Sequence, residues 1–320
     1  ASSAATVDGG EASAADDGCD YLPAYLLSDY SLERAGRGGR AGSTMECELN
    51  DLDARRERVR QACTAGLVVI GDEILKGKTA DTNTPFATRR LWEHGIPVKR
   101  VAVVPDSEAE IADEVRRQVQ LFDVVITSGG VGPTHDDVTI RAVAAALGQR
   151  VRRNEDMVER LKAAFGVRED SELTEAQQKM SMLPELSKLR VAPAEEEKWP
   201  ILQCENVFIL PGVPQFFERK MSAIVDHFLN RRPLHRKKMV LSADEFEIVE
   251  QLDAAVAAHP TVTFGSYPYV DNPLFKTVIT IEAEEKAAAD AAAATLAAVI
   301  PPGLVVRTVD DDDDLRPSRL

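Results

Sequence analysis

Paired cysteines are missing from this 320-residue chain. Its four, Cys19, Cys47, Cys63 and Cys204, are scattered without a CxxC spacing, so neither a zinc site nor a disulfide framework is expected. Reduced thiols in a cytoplasmic setting are the simplest expectation. An excess of positive charge is also lacking: 38 Lys and Arg stand against 53 Asp and Glu, a formal net charge of −15. Affinity for phosphate backbones comes from clustered Lys and Arg, so general nucleic-acid binding is not expected. An anionic ligand must then meet a local positive site or a metal. No apolar run is fit to span a membrane. The Ala-rich stretch 287–306 is interrupted by Asp290 and Pro301-Pro302-Gly303, which suits an amphipathic helix followed by a strand.

What is present is enough apolar residue, 44%, to bury a core of one large or two ordinary domains. Residues 1–62 are rich in Ala, Gly, Ser and Asp and have the composition of a mostly disordered tail, with a helical pattern only over 50–62. The early acids Asp8, Glu11, Asp16 and Asp17 speak against an organellar transit peptide. From residue 63 the pattern alternates: strands over 66–70, 98–104, 124–127 and 206–210, and helices over 81–94, 107–121, 138–147, 155–165, 175–182 and 215–230. This alternation predicts a parallel sheet covered on both faces, an α/β domain over 63–232. A second pattern follows over 233–309: strand 239–243, helix 245–259, strands 262–267 and 275–282, helix 286–299, strand 304–309. Its β-α-β-β-α-β order predicts a small α+β domain. It has no GxxG loop, RNP-like aromatics or basic helix face, so RNA binding is not expected of it. The acidic tail 310–320 reads as a solvated charge run.

Chemistry concentrates at the ends of the strands. The third opens into Thr127-Ser128-Gly129-Gly130-Val131-Gly132-Pro133-Thr134-His135-Asp136-Asp137-Val138-Thr139. Glycines let backbone N–H groups converge on an anion, and adjacent carboxylates suit a divalent metal beside a diphosphate. The same loop also reads as a tight turn whose aspartates cap the next helix. After the first strand, Gly71-Asp72-Glu73-Ile74-Leu75-Lys76-Gly77-Lys78-Thr79 ends like a P-loop but has five residues, not four, before its Gly-Lys-Thr, with Ile74 and Leu75 where phosphate would sit. An ATPase loop is therefore rejected, and no GxGxxG supports a Rossmann site. Val103-Val104-Pro105-Asp106 puts a carboxylate at the second strand end, where helix capping explains Asp106 as well as function does. Pro211-Gly212-Val213-Pro214 closes a later strand. In a doubly wound sheet all four ends meet in one crevice, which strengthens the functional reading.

These segments, with Asp81-Thr82-Asn83 and in this order, resemble the molybdopterin-binding (MoaB/Mog-like) domain family. Within it the chain is most similar to the CinA-like branch, and especially to the N-terminal molybdopterin-binding-like domain of eukaryotic FAD synthase, over roughly residues 66–306. The resemblance implies a three-layer MoaB/Mog-like domain with a mostly parallel sheet, whose Gly-rich loop holds the phosphate of a pterin or a nucleotide diphosphate. It implies metal-dependent hydrolysis of FAD to FMN and AMP, or of ADP-ribose. A domain adenylylating FMN, needed for FAD synthesis, is not expected within these residues.

Under that reading Asp106, Asp136 and Asp137 are the catalytic candidates, and Asp106 with Asp137 would hold Mg²⁺, Mn²⁺ or Co²⁺. The ligand would be bound from the first strand end by Gly71, Asp72, Glu73, Lys76 and Lys78, the lysines pairing with phosphate oxygens. Asn83, Ser128, Gly129, Gly130, Gly132, Pro133, Thr134 and Thr139 would surround the loop, and Pro211, Gly212 and Pro214 would close the site. Asp81 and Asn83 suit a helix start near the site better than a ligand contact, and His135 reads as an exposed bystander. The alternative is a non-catalytic module that holds molybdopterin or a flavin nucleotide. A third reading is a regulatory or homo-oligomerising domain, with edge strands of the small domain as the contact.

Overall fold

The computed structural model describes residues 59–310 apart from 194–198, 231, 233 and 271. Strand β1 (Ala65–Ile70) is buried along its whole length, as a strand covered on both faces must be. It pairs in parallel with β2 (Val98–Val104) and with β3 (Val124–Ser128). Side chains alternate across β1 and β3. Leu67 and Ile126 pack beneath helices α2 (Asn83–Glu93) and α7 (Pro214–His227), and Val68, Ile70 and Val125 pack against α3 (Glu108–Leu121), α4 (Thr139–Ala146) and α5 (Glu155–Phe165). The period of two thus builds three layers, helices on either side of one sheet. A single helical turn, α1 (Asp72–Leu75), follows β1 where the P-loop-like segment stands.

The sheet is wider than the sequence pattern indicates. β8 (Val207–Leu210) lies parallel to β3, β7 (Ile201–Cys204) pairs antiparallel with β8, and β6 (Lys188–Arg190) antiparallel with β7. The order is β2-β1-β3-β8-β7-β6. The β7–β8 hairpin turns at Glu205, whose φ is 51°, with neither Gly nor Pro to mark it. α6 (Glu175–Lys179) is shorter than the helix expected over 175–182, because Met182 belongs to β5 (Met182–Pro184), paired with β4 (Val151–Arg153). Elsewhere the helix signals work as side-chain chemistry requires. Asn154 accepts from the N–H of Met157 to open α5, Gly166 at φ 70° ends it, and Thr174 with Gln177 forms a capping box for α6.

The C-terminal residues form β9 (His235–Leu241), α8 (Val249–Ala258), β10 (Thr263–Pro268), β11 (Thr277–Ala283), α9 (Lys286–Val299) and β12 (Val305–Asp310). The antiparallel order β10-β11-β9-β12 realises the expected β-α-β-β-α-β module. A 3₁₀ turn, Glu245–Glu247, replaces the first turn of the helix expected over 245–259. Met239, Leu241, Ile279 and Ile281 pack on the helices, while Val240 and Val278 bury against Phe275 on the other face. Most of the expected tail over 1–62, and the charge run beyond Asp310, lie outside the described residues. Val59 and Ala62, which composition assigned to that tail, are buried in the core with Leu67 and Phe217. No helix among the described residues is long and apolar enough to cross a membrane.

One ion cluster ties an edge of this module. Lys237 Nζ lies 2.8 Å from Asp290 Oδ1 and 2.8 Å from Asp310 Oδ1. Hydrogen bonds from Lys237 depress both aspartates below the usual carboxylate range, and those aspartates raise Lys237. A depressed carboxyl adds stability that is complete above its ordinary pKa of about 3.9 and is lost as pH falls through the folded value. Between pH 5 and pH 2 the urea midpoint of the wild type is therefore expected to fall further than that of Lys237→Met. Equal falls would show that the cluster contributes nothing.

Candidate functional site

The four parallel strands run one way, so the segments that follow them gather at one edge of the sheet. They line a cleft of about 970 Å³. Gly71 and Glu73 come from β1, Asp106 from β2, Gly129, Gly130, Gly132, Asp136 and Asp137 from β3, and Pro211 and Gly212 from β8. Met157, Met180, Leu183, Trp199 and Phe216 give the cleft an apolar wall, and Lys179, Arg219 and Lys220 are its cations among the described residues.

The glycine loop is held tightly from behind. Gly129 N donates to Leu210 O at 3.0 Å, and Thr139 Oγ1 donates to Gly129 O at 2.9 Å. Asn83, buried at the start of α2, donates from Nδ2 to Ser128 Oγ at 2.9 Å and to Gly212 O at 2.8 Å. That one amide ties the end of β3 to the turn after β8. Asp81 serves the helix start instead, its Oδ1 accepting from Thr84 N at 3.0 Å.

The carboxylates are positioned by local donors. Asp106 Oδ2 accepts from Asp72 N at 2.9 Å, so Asp106 caps α1 across the sheet, not its own helix α3, where no side-chain cap forms. Asp137 Oδ2 accepts from Thr134 N at 2.8 Å, and Thr134 Oγ1 lies 2.5 Å from both Asp137 Oδ2 and Asp136 Oδ1. Lys179 pins the loop from α6, donating to Asp137 O at 3.1 Å and to Thr134 O. Burial raises the Asp106 carboxyl above the usual range; the Asp72 N–H opposes this, and the carboxylates of Glu73, Asp72 and Asp136 add to it. The Thr134 hydrogen bond lowers Asp136, and the Lys76 hydrogen bond lowers Asp72.

Residues 66–231, more than half of the chain, match the family model described as a probable molybdopterin binding domain. The chain belongs to that family. Its relatives include the following. A probable FAD synthase of Caenorhabditis elegans is 36% identical over 251 residues, covering 72% of this chain and 48% of that protein. A CinA-like protein of Geobacter metallireducens is 37% identical over 188 residues, covering 58% of this chain and 45% of its own. The chain thus spans about half the length of these curated relatives. Residues 233–309 match a second model, FAD synthase, middle domain. Among solved structures, the protein CinA of Thermoplasma acidophilum is 35% identical, with 52% of this chain and 98% of that chain covered at a TM-score of 0.47.

In this molybdopterin-binding domain the expected site residues separate into three groups. Gly71, Glu73, Asp106, Gly129, Gly130, Gly132, Asp136, Asp137, Pro211 and Gly212 line the cleft. Asn83, Ser128, Thr134 and Thr139 brace it from behind. Asp72, Lys76, Lys78, Pro133 and Pro214 are not among its lining residues, and Lys76 is bound to Asp72. His135 is almost fully exposed, its Nδ1 3.8 Å from Asp136 Oδ1. The sequence reading missed Lys179, Trp199, Phe216, Arg219 and Lys220. Buried Lys220 donates to Trp199 O at 2.9 Å and Pro200 O at 3.0 Å, fixing that wall. Trp199 stands outside every motif that the sequence offers, and nothing in the spacing marks a lysine or arginine on α6 or α7.

Proposed function

We propose that this chain is a metal-dependent nucleotide diphosphate hydrolase that cleaves FAD to FMN and AMP and also accepts ADP-ribose. The observation that carries the reading is the cleft itself. It sets the glycine loop and four carboxylates, Glu73, Asp106, Asp136 and Asp137, against an apolar wall with Trp199 and Phe216. Its size lies within the range of small-molecule sites, and an aromatic wall beside an anion cradle suits a planar ring joined to a diphosphate. The names of relatives and of the second family model, which speak of FAD synthase, support a flavin nucleotide as the ligand.

The donor set fits a hard divalent cation of the magnesium type. Among the described residues no three His, Cys, Asp or Glu side chains are grouped to hold a metal. Mg²⁺, Mn²⁺ or Co²⁺ would then be held by Asp106 and Asp137, completed by substrate phosphate and water, which is how Mg²⁺ is usually bound. The Oδ1 atoms of both aspartates accept no hydrogen bond from the described residues, so each keeps an oxygen for that purpose. A bound metal supplies charge neutralisation at the diphosphate and a more acidic water. The chain's own part is to hold the diphosphate on the backbone N–H groups of Gly130 and Gly132, the Gly129 N–H being taken by Leu210 O, so that two amides meet the charge developing at phosphorus. Thr134 and Lys179 keep the Asp136-Asp137 segment in place.

The second reading, a molybdopterin- or flavin-nucleotide-binding module without turnover, is favoured by one observation: Thr134 engages both Asp136 and Asp137. The deciding assay incubates the chain with FAD, ADP-ribose and NADH, with and without Mg²⁺, Mn²⁺ or Co²⁺, and follows AMP by chromatography. Metal-dependent AMP release, lost in Asp137→Ala, is the expected result. Ligand binding without AMP release under any of these metals would establish the binding module instead.

A further inference from the structure

Three cations line the cleft among the described residues, and two are committed to backbone carbonyls. Lys179 donates to Asp137 O and Thr134 O, and Lys220 to Trp199 O and Pro200 O. Lys76 and Lys78, the cations expected to pair with phosphate oxygens, are not among the lining residues, and Lys76 is bound to Asp72. Arg219 differs from all of these. It is exposed on α7, its side chain makes no hydrogen bond or ion pair among the described residues, and its guanidinium lies 5.4 Å from the Phe216 ring centroid. Contact with a ring face steadies the cation without using its N–H donors.

An arginine without a carboxylate partner stands out in a chain of net charge −15, in a cleft that four carboxylates line. Those carboxylates repel a diphosphate, so an anionic ligand needs a fixed cation as well as amide donors. Guanidinium presents a planar fork that matches two phosphate oxygens at once. We infer that Arg219, steadied by Phe216, is the residue through which the cleft selects ligands carrying a diphosphate over their mono- or unphosphorylated counterparts. The inference rests on the flavin-nucleotide reading for the identity of the ligand, but not on turnover.

The test measures the affinity of the full chain for FAD, FMN and riboflavin by flavin fluorescence in EDTA, where no metal-dependent cleavage runs. Wild type is expected to bind FAD more tightly than riboflavin. Arg219→Gln is expected to weaken FAD about 10- to 100-fold, the range for loss of a charge-assisted hydrogen bond, and to leave riboflavin within about twofold. Arg219→Lys should fall between them, because an ammonium is a point charge without the fork. Unchanged FAD affinity in Arg219→Gln, a parallel fall for riboflavin, or no FAD preference in wild type would each overturn the assignment. AMP release is read separately. Its absence from wild type removes the hydrolase reading alone, whereas AMP release with unaltered FAD affinity in Arg219→Gln removes Arg219 alone.

Discussion

Asp106→Asn is expected to lower metal-dependent AMP release from FAD by about 10²- to 10³-fold, the loss typical of removing one preorganised electrostatic group. The same variant is expected to melt no lower than wild type. The amide keeps the size of the carboxyl and an oxygen that accepts the N–H of Asp72, so the cap on α1 survives. What changes is the charge. Burial already disfavours the ionised Asp106, and Glu73, Asp72 and Asp136 add repulsion. A neutral residue relieves both. Loss of activity with retained or raised stability is the pattern of a group held in an unfavourable state for function, not for folding. Steady-state kinetics and a melting curve on one preparation decide it. Activity within about threefold of wild type would remove Asp106 from the reaction, and a large drop in melting temperature would reassign it to structure.

The strand ends that build the site were legible because each is punctuated. Gly71, Pro105-Asp106, the three glycines of 129–132 and Pro211-Gly212 all interrupt apolar runs, and a parallel sheet brings such interruptions to one edge. The β-α-β-β-α-β module was legible for the same reason, from strands and helices long enough to show their period. The rest escaped for two physical causes. β4, β5 and β6 are three residues each, too short to display alternation, and the β7–β8 turn is made by Glu205 and Asn206 with no Gly or Pro, so that Asn206 reads as the start of the strand. Arg219, Lys220 and Lys179 sit on helices, where a charged side chain normally faces water. Only the fold shows that one points its donors at carbonyls of the wall, one at the aspartate loop, and one contacts Phe216. Asn83, for which the sequence suggests a ligand contact or a helix start, is the buried brace between Ser128 and Gly212.

Gly129→Ala should cost the fold about 2–6 kcal/mol, combining the strain of a left-handed backbone with the overpacking of a methyl group. Gly129 has φ 109°, and a Cβ there would stand 2.2 Å from Ile70 O. That oxygen belongs to the end of a central strand paired on both sides, so it cannot swing away as a flexible side chain would. The methyl must displace the loop, and with it the Gly129 N to Leu210 O bond that fixes the cradle. Gly148 provides the comparison. Its φ is 65°, yet nothing lies within 4 Å of a Cβ placed there, so Gly148→Ala carries only the backbone cost of about 1–2 kcal/mol. Urea unfolding of the two variants beside wild type separates strain from contact. If Gly129→Ala loses no more than Gly148→Ala, the approach of the loop to Ile70 is not tight in solution. If it loses several kcal/mol more, glycine at 129 is required by the meeting of β1 and β3 themselves, before any ligand enters the cleft.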